Sequence, residues 1–230
     1  MSEKVIEFYN HFKNKQINTG INIRHRTILK NLKKEGLKPF HQILEIGCGI
    51  GTVTKLLSRY ASKGHILAVD ISPESIEFAK KFVTGKNVTF LVSDMSDFKQ
   101  NQLFDFIILP DVLEHIPLEN HYNLFKNLSQ CCKATTTVFI NIPSPHFQKF
   151  VSKNTPHLQQ IIDLEVHSDV LLKNAYENGF YLLSLNTYSL GYQEGDYQKV
   201  VLKRKDGFGM MNKISYLKLV WAEIKSKLPF

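Results

Sequence analysis

Three glycines, each separated by one residue, follow a short apolar run and an acid. Residues 43–52 read Ile-Leu-Glu-Ile-Gly-Cys-Gly-Ile-Gly-Thr. Because glycine has no side chain, the backbone of such a turn can approach a ligand closely. Glu45, two residues before the first glycine, would repel a phosphate but would favour a cationic group. The turn therefore predicts a site for a ligand that carries a positive charge, such as an amino-acid group.

The spacing of these glycines argues against a dinucleotide. A dinucleotide turn of the form G-x-G-x-x-G has glycine at its sixth position, where the helix packs on the sheet and leaves its N-terminus for a pyrophosphate. Here that position is Thr52, and the glycines form G-x-G-x-G. A dinucleotide-dependent oxidoreductase is thus a disfavoured alternative. A cofactor-binding protein without catalysis is a second alternative.

The elements around the turn alternate between short apolar runs and amphipathic stretches. Runs typical of strands cover residues 42–46, 65–70, 88–92, 104–110, 135–142, 180–187 and 197–202. Patterns typical of helices cover residues 52–60, 73–83, 118–132 and 166–178. Such alternation predicts an α/β fold with a seven-stranded, mostly parallel sheet and helices on both faces. The last two strands form an antiparallel edge hairpin, since residues 188–196 are too few and too polar for a crossover helix.

A chain of 230 residues predicts a single domain. Within it we expect an N-terminal helical cap at 1–36, a core at 37–205 and an amphipathic basic helix at 206–230. Residues 143–165, which begin Pro-Ser-Pro, interrupt the alternation. They are interpreted as a lid insertion.

Four motifs in order resemble the class I S-adenosylmethionine-dependent methyltransferases. The first is the family's E-x-G-x-G-x-G, here at residues 45–51. The others read Leu-Ala-Val-Asp-Ile-Ser at 67–72, Val-Ser-Asp-Met at 92–95 and a fourth-strand motif at 104–116 that contains Leu-Glu-His. The resemblance is clear over about residues 40–142 and weak over 166–202. It implies a Rossmann-like fold, S-adenosyl-L-methionine as cofactor and S-adenosyl-L-homocysteine as product.

The resemblance also implies which residues bind the cofactor. Asp70 would bind the ribose, because a carboxylate can accept hydrogen bonds from two vicinal hydroxyls. Asp94 would hold the adenine amino group, and an apolar neighbour would cover the ring. The expected cofactor residues are Glu45, Gly47, Gly49, Gly51, Asp70, Ile71, Asp94, Met95 and Pro110.

The activity that the resemblance implies is methyl transfer by in-line displacement to an oxygen or nitrogen of a small molecule. The acceptor could be a sugar, a lipid-linked compound or another secondary metabolite. A hydroxyl acceptor needs a general base with a pKa near neutrality, which histidine has. His115 is the first candidate and His146 the second. No metal site is predicted, because the histidine spacings are not those of metal ligands.

The charge and cysteine content limit the partners and the compartment. The net charge is +8, yet residues 1–38 and 199–230 each carry +6, and only four of the 29 basic residues are arginine. Nucleic acid is therefore disfavoured as a partner. Three cysteines without paired spacing and a start without a secretory signal predict a cytoplasmic protein.

The end of the chain carries an apolar stripe that the resemblance does not explain. The stripe consists of Met210, Ile214, Leu217, Trp221, Ile224 and Leu228. Its steps of four and three residues predict an amphipathic helix. Such a helix can pack on its own domain, contact a second subunit or lie on an anionic membrane surface. We expect a homodimer contact or a peripheral membrane contact through this helix.

Overall fold

Seven strands form one sheet in the structure, a computed structural model that describes residues 3–96, 98, 102–204 and 214–227. The strands are β1 (Gln42–Ile46), β2 (His65–Asp70), β3 (Val88–Val92), β4 (Phe104–Pro110), β5 (Cys132–Pro143), β6 (Phe180–Tyr188) and β7 (Tyr197–Arg204). Their order is β3-β2-β1-β4-β5-β7-β6. Strands β1 to β5 pair in parallel, whereas β7 is antiparallel to both β5 and β6. The predicted fold class and its edge hairpin are confirmed.

Helices surround the sheet. They are α1 (Glu3–Thr19), α2 (Ile23–Lys34), α3 (Thr52–Tyr60), α4 (Pro73–Phe82), α5 (Leu118–Gln130), α6 (Pro145–Asn154), α7 (Ser168–Glu177) and α8 (Tyr216–Lys227). Short 3-10 helices lie at Leu113–His115 and Pro156–Leu158. Helices α2 and α3 contribute buried side chains to one apolar cluster, and α5 and α7 contribute to another.

The two clusters lie on opposite faces because successive side chains of a strand point in opposite directions. In β1, Leu44 belongs to one cluster and Ile43 to the other. Both side chains are fully buried. Central strands covered on both faces must be apolar nearly throughout, which is why their limits could be predicted from the sequence.

Strand β5 begins earlier than the predicted residue 135. Its first residue, Cys132, pairs with Phe104, and the register then shifts before Phe106 meets Thr137. The Thr136 hydroxyl donates to the Phe104 carbonyl at 2.6 Å. This side-chain bond satisfies a buried carbonyl at the irregularity, so the strand extends through residues that the sequence pattern assigns to the end of a helix.

Two helices, α4 and α6, begin at a serine followed by a proline. Ser72 caps α4 and Ser144 caps α6, each with its side chain accepting from a backbone N–H and with proline following. The segment interpreted as a lid therefore contains a helix, α6, and a 3-10 turn.

The C-terminal stripe is partly described. Within α8 and the residues just before it, Ile214, Leu217, Trp221 and Ile224 are all more than half exposed. Met210, Leu228 and the expected boundary at 205–206 lie outside the described residues. In the part of the chain that the structure describes, no helix is long and apolar enough to span a bilayer.

Candidate functional site

A cavity of about 460 Å³ opens at the carboxyl ends of the parallel strands. Strand β1 lies between β2 and β4 in the sheet. The chain leaves β1 towards β2 on one side and later crosses from β3 to β4 on the other side. At such a reversal of strand order a crevice forms outside the strand ends, which is where ligands bind in open α/β sheets. The cavity is lined by the glycine turn, by the ends of β2, β3 and β4, and by α1, α6 and the residues after α6.

Two of the three glycines face this cavity. Gly47 and Gly49 line it, and Gly49 has a left-handed φ of +52°. A methyl group added at Gly49 would lie 2.9 Å from Nε2 of Gln16 on α1. Gly51 has a different neighbour: a methyl group there would lie 2.8 Å from Cγ2 of Val83, at the end of α4. Gly51 therefore lets the turn pack on α4 and is not among the lining residues.

Glu45 lies beneath the turn with its side chain fully buried. Neither carboxylate oxygen has a hydrogen-bond partner of normal geometry among the described residues, although the side chain lines the cavity. Burial raises the pKa of Glu45 to about 8, the nearby Thr54 hydroxyl opposes this rise, and Asp70 adds to it. A buried carboxylate without a partner is costly, so this group is suited to a ligand that brings a positive charge or hydrogen-bond donors.

Asp70 joins the end of β2 to the glycine turn. Its Oδ2 accepts from the Gly49 N–H at 2.7 Å, and its Oδ1 accepts from the Ser72 N–H at 2.9 Å. Burial raises the pKa of Asp70, and these backbone donors oppose the rise. Asp70 and Ile71 both line the cavity. The carboxylate thus holds the turn while its remaining lone pairs stay available to a ligand.

Met95 follows β3 in a strained conformation. Its φ is +64°, which a residue other than glycine seldom adopts, and its side chain is buried. The side chain of Asn127 donates to the Met95 carbonyl at 2.8 Å, and the Met95 N–H donates to Ser93 Oγ at 3.0 Å. Asp94, whose Oδ1 accepts from the Ser96 N–H, lines the cavity beside Met95. The tight turn therefore presents an acid and an apolar side chain together.

His115 lies in the 3-10 helix after β4 and lines the cavity. Its Nδ1 is 2.7 Å from the carbonyl oxygen of Ile162 and 3.0 Å from Oδ1 of Asp163. Because a carbonyl oxygen can only accept, we assign the proton to Nδ1. The lone pair of Nε2 then accepts from the side-chain amide of Gln160 at 3.0 Å. This is the tautomer required of a base that acts through Nε2.

The carboxylates near His115 set its basicity. Burial alone would lower the pKa of His115, but Glu114, Asp163 and the Ile162 carbonyl outweigh it and raise the pKa to about 8. Glu114 is itself 2% exposed, and burial raises its pKa to about 8 despite the opposing effect of His115. The pKa values of both members of this buried pair are thus raised, that of His115 by its acidic neighbours and that of Glu114 by burial, and shifted values of this kind are common at catalytic centres.

Three further buried polar atoms near His115 have no hydrogen-bond partner among the described residues. They are Oε2 of Glu114, Oε1 of Gln160 and the hydroxyl oxygen of Tyr9. All three side chains line the cavity, and the Tyr9 ring lies 6.2 Å from the His115 ring between centroids. Buried polar atoms are normally hydrogen-bonded, so a cluster of unpaired ones marks a place for a polar ligand.

An ion pair that the sequence gives no sign of forms another part of the cavity wall. Nε of Arg24 on α2 lies 3.0 Å from Oδ2 of Asp111, and its Nη1 donates to the Tyr197 hydroxyl at 3.1 Å. Asp111, with a φ of +56°, also accepts from the Asn141 side chain. Asp111 raises the pKa of Arg24, so this guanidinium stays charged.

The second candidate base does not reach the cavity. His146 is exposed on α6, whereas Phe147, Gln148 and Val151 of the same helix line the cavity. Pro110, the last residue of β4, is among the lining residues, as expected. The residues that sequence reasoning missed are Tyr9, Gln16, Arg24 and Gln160. No motif marks them, because they reach the cavity only through the packing of distant segments.

Comparison with known proteins agrees with this geometry. Residues 43–135 match the family described as "Methyltransferase domain". A malonyl-[acyl-carrier protein] O-methyltransferase of Anoxybacillus flavithermus is 40% identical over 77 residues, which are 34% of this chain and 30% of that protein. A ubiquinone biosynthesis O-methyltransferase of Rickettsia canadensis is 30% identical over 102 residues, which are 44% of this chain and 42% of that protein. The chain thus spans less than half the length of these curated relatives.

Solved structures extend the similarity of the fold beyond that segment. A TehB-like S-adenosylmethionine-dependent methyltransferase from Corynebacterium glutamicum has a TM-score of 0.64 at 17% identity, over 89% of this chain and all of that one. Magnesium protoporphyrin IX methyltransferase from Synechocystis, with bound S-adenosylhomocysteine, has a TM-score of 0.63 at 19% identity, over 82% of this chain and 86% of that one. Residues 43–135 therefore match the methyltransferase domain family, and the chain shares the fold of these methyltransferase structures.

Proposed function

We propose that the chain transfers a methyl group from S-adenosylmethionine to an oxygen atom of a small molecule, with a nitrogen acceptor as the alternative. The observation that carries this proposal is Glu45, a fully buried carboxylate beneath a glycine turn, whose two oxygens have no hydrogen bond of normal geometry among the described residues. That arrangement suits the ammonium of an amino-acid ligand. It does not suit the pyrophosphate of a dinucleotide.

The remaining cavity residues fit the other parts of this cofactor. Asp70 offers free lone pairs to two vicinal hydroxyls of a ribose, and its backbone donors keep the carboxylate oriented. Asp94 and Met95, together after β3, offer a polar edge and an apolar face to an adenine ring. Because Gly49 has no side chain, the backbone of the turn can lie close to the chain that joins the two ends, beside the Gln16 amide.

S-adenosylmethionine supplies an electrophilic methyl group on a sulfonium sulfur. The protein's contribution is to orient the acceptor, exclude water and remove a proton from a hydroxyl. His115 is suited to the last of these tasks, because the Ile162 carbonyl and Asp163 hold its Nδ1–H and leave the Nε2 lone pair towards the cavity. Glu114, beside it, stabilises the imidazolium that forms when His115 takes the proton.

Two arguments support an oxygen acceptor. The named relatives that match the segment include O-methyltransferases for a malonyl-[acyl-carrier protein] and for ubiquinone biosynthesis. In addition, an oriented histidine base is needed for a hydroxyl more than for an amine, because an uncharged amine nitrogen is nucleophilic without first losing a proton. The acceptor side of the cavity also has apolar residues, among them Phe147, Val151 and Leu158, so we expect the acceptor to carry an apolar part.

The test has a binding step and a transfer step. Calorimetry with S-adenosylhomocysteine and with NAD should detect binding of the first only. The full chain should then release S-adenosylhomocysteine from S-adenosylmethionine in the presence of some members of a panel of small phenols, carboxylates and amines. Binding of NAD alone would overturn the proposal, and turnover confined to amines would select the nitrogen alternative.

We also propose a cytoplasmic setting, which three cysteines without paired spacing, Cys48, Cys131 and Cys132, support. Dimer or membrane contact through α8 stays a proposal too. Its support is the exposure of the stripe residues together with Lys218 and Lys225, since exposed apolar side chains next to lysines suit an anionic surface.

A further inference from the structure

The side-chain amide of Gln16 lies against the glycine turn at Gly49. Its Nε2 and Oε1 atoms would lie 2.9 Å and 3.1 Å from a methyl group added at Gly49. The side chain lines the cavity, and no hydrogen bond joins its amide to another described side chain. Gln16 therefore presents an amide with unused donors to the part of the cavity next to Glu45 and Asp70.

Helix α1 is held in this position by contacts with α4. The Ser72 hydroxyl, which caps α4, donates to Asn10 Oδ1 at 2.6 Å. Lys13 pairs with Glu74 in the first turn of α4. Asn10, Lys13 and Gln16 are spaced by three residues and thus lie along one side of the helix. The contacts of Asn10 and Lys13 with α4 thus fix the side of α1 from which the Gln16 side chain extends.

An amino-acid ligand has a carboxylate as well as an ammonium, and the floor of the cavity offers the carboxylate little. Glu45 and Asp70 are themselves acids and would repel it. Three backbone donors of the turn are used internally: Cys48 N–H bonds to Val69, Gly49 N–H to Asp70, and Gly51 N–H to Cys48. The side-chain amide of Gln16 is a donor that lies directly against Gly49.

We propose that Gln16 is a cofactor-positioning residue whose side-chain NH₂ group donates to the carboxylate at the amino-acid end of S-adenosylmethionine. This inference rests on the proposed function, since it assumes that this cofactor occupies the cavity. Glu45 and Gln16 then bind the two charged groups of one amino-acid moiety from opposite sides. Residues before position 36, which lie outside the family segment, complete the cofactor site.

The experiment compares two ligands that differ only in the amino-acid part. S-adenosylhomocysteine has the carboxylate and the ammonium, whereas 5′-methylthioadenosine retains the adenine, the ribose and the sulfur but lacks both. Calorimetry on the full chain should show that Gln16→Ala raises the Kd of S-adenosylhomocysteine about tenfold or more, the usual effect of losing a hydrogen bond to a charged group. The Kd of 5′-methylthioadenosine should stay within about twofold of the wild-type value.

Three further variants make the result specific. Asn14→Ala, an exposed amide on the same helix, is the matched control and should leave both affinities unchanged. Gln16→Glu should weaken S-adenosylhomocysteine more than Gln16→Ala does, because two carboxylates would face each other. Lys15→Ala tests the cationic side chain of α1 that lines the cavity.

The outcomes separate this inference from the proposed function. A wild-type chain that binds neither ligand overturns both. A wild-type chain that binds S-adenosylhomocysteine while Gln16→Ala leaves its Kd unchanged, or weakens both ligands equally, overturns the inference alone. If Lys15→Ala produces the whole loss and Gln16→Ala none, Lys15 is the donor and the inference is wrong. Retained binding of 5′-methylthioadenosine shows that each variant is folded.

Discussion

The two ends of the cavity are built in different ways. At the cofactor end, Glu45 and Asp70 sit on or beside parallel strands whose apolar residues are fully buried. At the acceptor end, the walls come from α6, the segment after α6 and Tyr9 of α1, whereas Gln16 near the end of α1 faces the glycine turn of the cofactor end. Among the described residues, Val5 is the only buried side chain of α1 and Gln148 the only one of α6. The cofactor end is therefore built mainly from the folding core, whereas the acceptor end is built mainly from segments that pack on the outside of that core.

This difference fits the different demands of the two ligands. A cofactor of fixed chemistry needs a rigid site, which strand ends and a short turn supply. An acceptor that varies among related enzymes is better served by segments outside the core, since these can change without loss of the fold. Local stability should follow the same division, with α1 and α6 opening more readily than β1 and β2.

The largest effect should come from Gly49→Val, which alters the cofactor end alone. A branched side chain at a φ of +52° is strained and would occupy the space between the turn and Gln16. We expect binding of S-adenosylhomocysteine to become undetectable by calorimetry. Gly36→Val is the matched control, because Gly36 has a φ of +96° with nothing within 4 Å of an added methyl group. Loss of binding in both variants would attribute the effect to general strain.

His115→Ala should have the next largest effect and should act at the acceptor end. Removal of a general base typically lowers kcat by about 10²- to 10⁴-fold, and the Kd of S-adenosylhomocysteine should change little. In the wild type the neutral imidazole is the base, so kcat/KM should rise with pH towards a plateau with a midpoint near the His115 pKa of about 8. The variant should lack this rise.

Asp163→Asn serves as the control for that pH profile. The hydrogen bond and charge of Asp163 raise the pKa of His115, so the midpoint should move to lower pH in this variant. An unchanged midpoint in Asp163→Asn, or a His115→Ala chain whose defect is confined to cofactor affinity, would contradict the role given to His115.

A smaller effect separates the two buried glutamates. Glu45→Gln should weaken S-adenosylhomocysteine about tenfold, because the ligand's ammonium loses its charged partner. Glu114→Gln, its counterpart at the acceptor end, should leave this affinity unchanged. Equal losses of affinity in the two variants would remove the proposed division of the cavity.

Both glutamate variants should also stabilise the ligand-free protein near neutral pH. Burial raises each pKa in the folded state from its ordinary value of 4.5 to about 8. The folded state therefore holds more protons than the unfolded state between these values, and stability falls as pH rises from about 4.5 to about 8. The gain in Tm of each variant should accordingly be absent near pH 4 and grow towards pH 8, as measured by calorimetric scans.

The smallest effect on the cavity should come from removing residues 208–230. The exposed stripe of α8 contributes nothing to the lining, so the Kd of S-adenosylhomocysteine should stay within about twofold of the full chain's value. Light scattering should show loss of dimerisation, or sedimentation should show loss of binding to anionic liposomes. A truncated chain that unfolds, together with a full-length monomer that ignores liposomes, would make α8 a structural element of the domain.

The same division explains what the sequence could reveal. Strands β1, β2 and β4 have the predicted limits because strands buried on both faces form apolar runs with clear ends. The cofactor residues are local to these ends, so Glu45 and Asp70 could be found from motifs. The acceptor end depends on pairs such as His115 with Asp163 and Arg24 with Tyr197, which lie 47 or more positions apart. No spacing rule connects such residues, and only the packed chain brings them together.

The side-chain amide of Gln160 occupies the lone pair of His115 Nε2, and this has a consequence for selectivity. The Gln160 amide competes with the acceptor hydroxyl for a hydrogen bond to His115 Nε2, and it does so at a high effective concentration because it belongs to the same chain. An acceptor reaches the base only by displacing it, and water faces the same barrier. A hydroxyl compound that packs against the apolar wall gains enough binding free energy to offset the displacement of the Gln160 amide, whereas a small alcohol does not. Acceptor discrimination then resides in an exchange of hydrogen-bond partners at one nitrogen atom.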